Sequence, residues 1–81
     1  MLYAVELPNG LETYAKDRAE AEVIFQHCAA IGQCHLVVIV KCVRRVLASS
    51  IRKTYAPTLG HYEQAVFRAR RGEPVYDYGA A

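Results

Sequence analysis

The sequence has no apolar run long enough to cross a bilayer. The segment nearest to that length, CAAIGQCHLVVIV at residues 28–40, is too short and contains Gly32, Gln33 and His35. The first residues, MLYAVELPNG, offer neither a basic region nor an apolar core followed by a cleavage site, so no secretion signal is recognisable. We therefore expect a cytoplasmic protein that does not bind membranes.

Residues that usually build catalytic or metal sites are also scarce. The three cysteines are an odd number without the spacing of a disulfide framework, and we expect them to be small buried hydrophobic residues. Two adjacent His–Cys pairs, at residues 27–28 and 34–35, could offer nitrogen and sulfur ligands to zinc. Adjacent side chains point in different directions, however, which favours core cysteines with edge histidines. No glycine-rich phosphate loop, nucleophile elbow or HExxH motif is present, so we expect no enzymatic activity, no metal and no cofactor.

What the sequence does contain is enough apolar side chains for one small core. Its 81 residues are 53% apolar and 22% charged, which is the composition of a globular protein. A chain of this length buries only about 60–65% of the surface that its unfolded form exposes. We expect one α+β domain of modest stability over residues 1–81, with residues 73–81 as a candidate flexible tail.

Charge is distributed unevenly along the chain. Residues 1–35 contain two basic and five acidic residues, a net charge of −3, whereas residues 36–81 contain eight basic and three acidic residues, a net charge of +5. Such asymmetry informs about partners more than about fold. Both sets could equally be solvated faces, with some members serving helix caps and helix ends. The candidate partner-binding residues are Arg44, Arg45, Arg52, Lys53, Arg68, Arg70 and Arg71 on the basic side, and Glu12, Glu20 and Glu22 on the acidic side.

The first half of the chain has the pattern of a hairpin followed by a helix. LYAVEL and LETYAK alternate around the turn signal PNG, which predicts a β-hairpin over residues 2–16. Asp17 and Glu20 have the spacing of a capping box at a helix start. Gly32 is expected to end that helix in a left-handed conformation. The predicted apolar stripe of the helix consists of Ala21, Ile24, Phe25, Cys28 and Ile31.

The second half predicts a buried strand and a second helix. Residues 34–43 are rich in β-branched side chains and apolar on both faces through Val40. Residues 47–55 fit either a turn with a further strand or an irregular connection. A helix is predicted from Leu59 to Arg71, capped by Thr58 and followed by Gly72, with an apolar stripe of Leu59, Tyr62, Val66 and Ala69. Residues 75–78 fit a short edge strand or a tail.

These elements predict a mainly antiparallel three-stranded sheet in the order β-β-α-β, with one helix packed on it and a second helix near the C-terminus. The segment GLETYAKDRAEAEVIFQHCAAIGQCHLVVIV, residues 10–40, resembles small β-β-α-β proteins encoded by phages and other mobile elements, among them several anti-CRISPR proteins. The likeness lies in the order of a short hairpin, a capped amphipathic helix rich in Ala and Glu, and an apolar strand. It implies an inhibitor that acts in the cytoplasm of a phage-infected bacterium.

The function that we expect is therefore a non-enzymatic inhibitor that binds a protein partner. The resemblance implies that the partner is a CRISPR effector subunit and that the inhibitor blocks access of target DNA. Many such inhibitors are strongly acidic, whereas the second half of this chain is basic. The alternative is a small nucleic-acid-binding or regulatory module that uses the basic half, with affinity that falls steeply with salt. A third alternative is a homodimer that pairs or packs through the apolar strand Leu36–Val40.

Overall fold

Four antiparallel strands and two helices form a small α+β fold. The structure, a computed structural model, describes residues 1–8, 10–50 and 58–75. The strands are hydrogen-bonded in the order β2-β1-β3-β4. The elements in chain order are β1 (Leu2–Glu6), β2 (Glu12–Ala15), α1 (Arg18–Ala29), β3 (Cys34–Val40), β4 (Val43–Ser50) and α2 (Leu59–Arg70).

The prediction of three strands was wrong, because the chain turns back at Lys41 and Cys42. The strand predicted over residues 34–43 ends at Val40, and β4 begins at Val43 after this two-residue connection. Both connecting residues have positive φ, 49° at Lys41 and 65° at Cys42, as a type I′ hairpin turn requires. Asn and Gly are the usual residues there, so a Lys-Cys pair carries no turn signal. Of residues 47–55, those from 51 onward lie outside the described part of the chain.

The predicted hairpin and the first helix start are confirmed. β1 and β2 pair around a turn that contains Gly10, whose φ of 84° suits glycine. The amide of Glu20 donates to the Asp17 carboxylate at 2.8 Å, which is one half of the predicted capping box. The other half differs, because the Glu20 carboxylate accepts from the amide of Lys16 at 3.1 Å and not from that of Asp17.

The core lies between one face of the sheet and both helices. Val5 and Leu36 from the sheet belong to one buried cluster with Ile24 of α1 and Val66 of α2. The Tyr62 hydroxyl donates to the carbonyl oxygen of Gln33 at 3.0 Å, which ties α2 to the connection between α1 and β3. Neither helix has the length and apolarity that spanning a membrane demands, as far as the described residues extend.

Four details of the sequence prediction need correction. Gly32 does not have positive φ, since α1 ends at Ala29 and the amides of Ile31 and Gly32 both donate to the carbonyl oxygen of Cys28. His27 is only 3% exposed and not at an edge, because helical spacing puts it in the same stripe as Ile24 and Cys28. Leu59 and Cys42, which were expected to be buried, are exposed, one in the first turn of α2 and the other in the hairpin turn.

Candidate interaction surfaces

The face of the sheet opposite the helices is organised in rows across the strands. Residues alternate between faces, and Val5 and Leu36 point to the helices, so Ala4 and Val37 point the other way. We call this second side the open face. Its polar row consists of Glu12, Glu6, His35 and Ser49, its central row of Tyr14, Ala4, Val37 and Val46, and its last row of Leu2, Ile39 and Arg44.

The central row has a buried floor and an exposed rim. Ala4 and Val37, in the middle of the sheet, are both 0% exposed, although they are absent from the cluster that packs under the helices. Tyr14 on one edge strand is 50% exposed and Val46 on the other is 53% exposed. The central row thus has a buried centre with an exposed large side chain at each end.

Arg44 reaches across the open face and neutralises two carboxylates. Its Nη1 lies 2.8 Å from Oε2 of Glu6, and its Nη2 lies 2.7 Å from Oε1 of Glu12, whose second oxygen also bonds Nη1. The two carboxylates belong to the polar row and Arg44 to the last row, so the ion pairs extend across the central row that lies between them. The hydrogen bonds from Arg44 lower the pKa of the Glu12 carboxyl below its ordinary value.

Cys28 and Cys34 are buried, Cys42 is exposed, and His35 has a hydrogen-bond partner across the sheet. Burial raises the pKa of the Cys28 and Cys34 thiols to about 12, so neither forms a thiolate at neutral pH. His35 Nδ1 lies 2.7 Å from the hydroxyl of Ser49, as a cross-strand pair on the polar row of the open face. Among the described residues, no three His, Cys, Asp or Glu side chains are grouped to hold a metal ion.

The predicted basic residues are spread over the molecule. Arg44 lies on the open face, and Arg45, its neighbour in β4, is exposed on the helix side of the sheet. Arg70 donates to the carbonyl oxygen of Tyr14 at 2.8 Å, which satisfies a backbone acceptor of the edge strand β2. Arg71 forms an ion pair with Glu73 at 3.3 Å and lies over the Phe67 ring. Arg68 is on α2 with these residues, and Arg52 and Lys53 lie outside the described residues.

The predicted acidic residues also have local partners. Glu20 belongs to the cap of α1, and Glu22 forms an ion pair with Arg18 at 3.0 Å along the same helix. Glu12 is held by Arg44 of the basic half. Ten residues were predicted to bind a partner, and among the eight of them that the structure describes, Arg44 and Glu12 are the one pair of opposite charges in an ion pair. The acidic and basic halves of the sequence are therefore interleaved on the open face.

Two grooves that described residues line are small. One groove of about 210 Å³ lies between α2 and the β1–β2 hairpin, and another of about 190 Å³ lies beside the turn of that hairpin. Pockets that bind small molecules usually measure about 300–1,000 Å³. The surfaces that stand out instead are the apolar rim of the open face and the exposed end of the β3–β4 hairpin. Val46 was not among the predicted site residues, because β4 was not recognised as a strand.

No known protein family, curated protein or solved structure matches the chain.

Proposed function

We propose that this protein is a non-enzymatic, protein-binding inhibitor that docks through the open face of its sheet. The observation that supports this most is the exposed apolar rim of Tyr14, Val46 and Leu2 around a closed floor on the side that the helices leave uncovered. An apolar surface with an aromatic side chain at its border is typical of the energetically dominant part of a protein interface.

The compensated charges on this face favour a protein partner over a highly charged partner such as a nucleic acid. Arg44 is compensated by Glu6 and Glu12, so the guanidinium keeps its partners when water is excluded around it. An unpaired buried charge would oppose binding, whereas a paired and hydrogen-bonded one is tolerated. The open face is thus suited to a partner that is mainly apolar where it makes contact.

A CRISPR effector subunit is the partner that the resemblance of residues 10–40 implies. In this proposal, the inhibitor occupies the surface through which the effector admits target DNA and acts by steric exclusion. No chemistry is required of the inhibitor, in keeping with the buried, protonated thiols of Cys28 and Cys34.

The proposal is tested with purified CRISPR effector complexes of several types, by measuring target-DNA binding with and without the protein. Val46→Glu places a charge on the rim of the open face and should abolish inhibition of the complex that responds. Val23→Glu makes the same change on α1, at a valine that is 38% exposed, and should leave inhibition intact. Equal effects of the two variants, or no inhibition of any complex, would contradict the proposal.

The same assay without effector examines the alternative of a nucleic-acid-binding module. Direct binding of the DNA oligonucleotide, with affinity that falls steeply as salt rises, would support that alternative. Charge reversal at Arg45, which has no acidic partner in the described part of the chain, should then weaken DNA binding. The neutralised Arg44 should contribute less than Arg45.

A further inference from the structure

The end of the β3–β4 hairpin is an exposed apolar tip bordered by cations. Val40 and Val43 form its last cross-strand pair and are 40% and 68% exposed. Val40 is an even number of residues from Leu36, so the pair lies on the helix side of the sheet, beyond the reach of the helices. Lys41 and Arg45 flank the pair, and neither has an acidic partner within the described residues. We call these four residues the hairpin tip.

An apolar groove with charged groups lies on the helix side of the sheet, at the end opposite the hairpin tip. The groove has an apolar part and two charged groups, and its lining consists of Leu7, Thr13, Val66, Phe67, Glu63 and Arg70. Arg70 is engaged with the Tyr14 carbonyl oxygen. Within the described part of the chain, every carboxylate except that of Glu63 either caps a helix or forms an ion pair.

The two features are complementary in size and charge. The groove measures about 210 Å³, and an apolar cavity of about 150 Å³ already accommodates benzene, which is bulkier than the isopropyl group of a valine. Within the described residues, Lys41 and Arg45 at the tip have no acidic partner and Glu63 at the groove has no basic one. Arg70, the cation that also lines the groove, donates to the Tyr14 carbonyl oxygen. Insertion would remove exposed valine surface from water and bring Glu63 near Lys41 or Arg45.

The strand register places the two features at opposite ends of the molecule. On β1, Leu2 pairs with Ile39 near the tip, whereas Glu6 pairs with His35, and Leu7 of the groove follows it. A chain cannot therefore fill its own groove with its own tip. Two antiparallel copies related by a two-fold axis can fill both grooves at once, which gives a closed dimer.

We infer that this protein forms a homodimer in which the hairpin tip of each copy inserts into the groove between α2 and the β1–β2 hairpin of the other. Apolar contact by Val40 and Val43 supplies the attraction, and the charges of Arg45 and Glu63 set the orientation. The open face is not used in this dimer and stays available.

The test is sedimentation equilibrium of the full chain at concentrations up to about 1 mM, the range in which weak surface contacts are populated. The wild type should reach twice the 9.1 kDa of one chain. Val43→Glu should remain monomeric, whereas Val23→Glu on α1 should dimerise like the wild type. Because Val43 is mostly exposed, its replacement leaves the core untouched, and thermal unfolding of each variant confirms that the fold is retained.

Charge reversals identify the contact itself. Arg45→Glu and Glu63→Arg should each weaken the dimer by about tenfold, as expected for loss of an ion pair at the border of an apolar contact together with like-charge repulsion. The double variant should regain most of the wild-type affinity. A wild type that stays monomeric, a series of larger polymers, dimerisation that is insensitive to Val43→Glu, or a double variant no tighter than the single ones would overturn the inference.

Discussion

The turn between β3 and β4 should become more stable when Lys41 and Cys42 are replaced by Asn and Gly. Both residues have positive φ, 49° and 65°, where a side chain with a Cβ atom costs about 1–2 kcal/mol per residue. Glycine at position 42 removes this strain but loses about 0.5–1 kcal/mol of chain entropy. The net gain is about 0.5–1 kcal/mol there, and Asn at position 41 should add a few tenths, for about 1 kcal/mol in total.

Thermal unfolding followed by calorimetry measures this gain directly. For a chain of this size, about 1 kcal/mol corresponds to a rise in Tm of roughly 4–8 °C. Lys41→Ala with Cys42→Ala is the matched control, because it also removes the Lys41 ammonium group and the Cys42 thiol but keeps a Cβ at position 42. The control should not gain stability. An Asn-Gly variant no more stable than the Ala-Ala variant would refute the argument that these two residues are strained.

Further predictions concern stability. Gly60→Ala should stabilise α2 by about 0.5–1 kcal/mol, because the added Cβ meets only the Thr58 hydroxyl at an ordinary 3.6 Å. Gly72→Ala should destabilise the protein, because Gly72 has a φ of 75°. In urea titrations, the midpoints of the two variants should move in opposite directions. Glu12→Gln should reduce the loss of stability at acidic pH. The lowered pKa of Glu12 contributes stability that is present above the ordinary pKa of 4.5 and is lost as pH falls through the folded-state pKa. If urea titrations between neutral and acidic pH show the same loss in the variant as in the wild type, Glu12 does not contribute to the acid sensitivity.

The elements that carry local signals were predictable from the sequence. The Asn-Gly turn located the first hairpin, a capping pair located the start of α1, and Thr58 with Gly72 bounded α2. Each of these signals is a backbone requirement met by a residue suited to it. Their success shows that both helices and two strands are specified by nearby residues.

The fourth strand lacked such signals for two physical reasons. Its hairpin turn uses Lys41 and Cys42 in a conformation that neither favours. In addition, the register with β3 shifts between Leu36 and Val37, and both Leu47 and Ala48 contact the core. This irregularity breaks the alternation by which a strand is recognised. β4 is thus specified by its pairing with β3, and not by its own pattern.

The open face could not be predicted without that strand. Arg44 and Glu12 are 32 residues apart in sequence, and they meet only because β4 and β2 are the two edge strands of one sheet, with β3 and β1 between them. Reading charge along the chain separated an acidic half from a basic half, whereas the fold places Arg44 against Glu6 and Glu12. Charge asymmetry in sequence therefore gave no reliable account of charge asymmetry in space.

This distinction separates the two proposed surfaces experimentally. On the open face, the charge of Arg44 is already compensated within the chain, so binding there should depend on apolar contact and change little with salt. At the hairpin tip, Lys41 and Arg45 have no acidic partner in the part of the chain that the structure describes. Their attraction to Glu63 of a second copy is screened over about 8–10 Å at physiological ionic strength. Raising the salt concentration should therefore weaken the homodimer, whereas partner binding through the open face should persist. A single salt titration that follows both interactions thus assigns each of them to its surface.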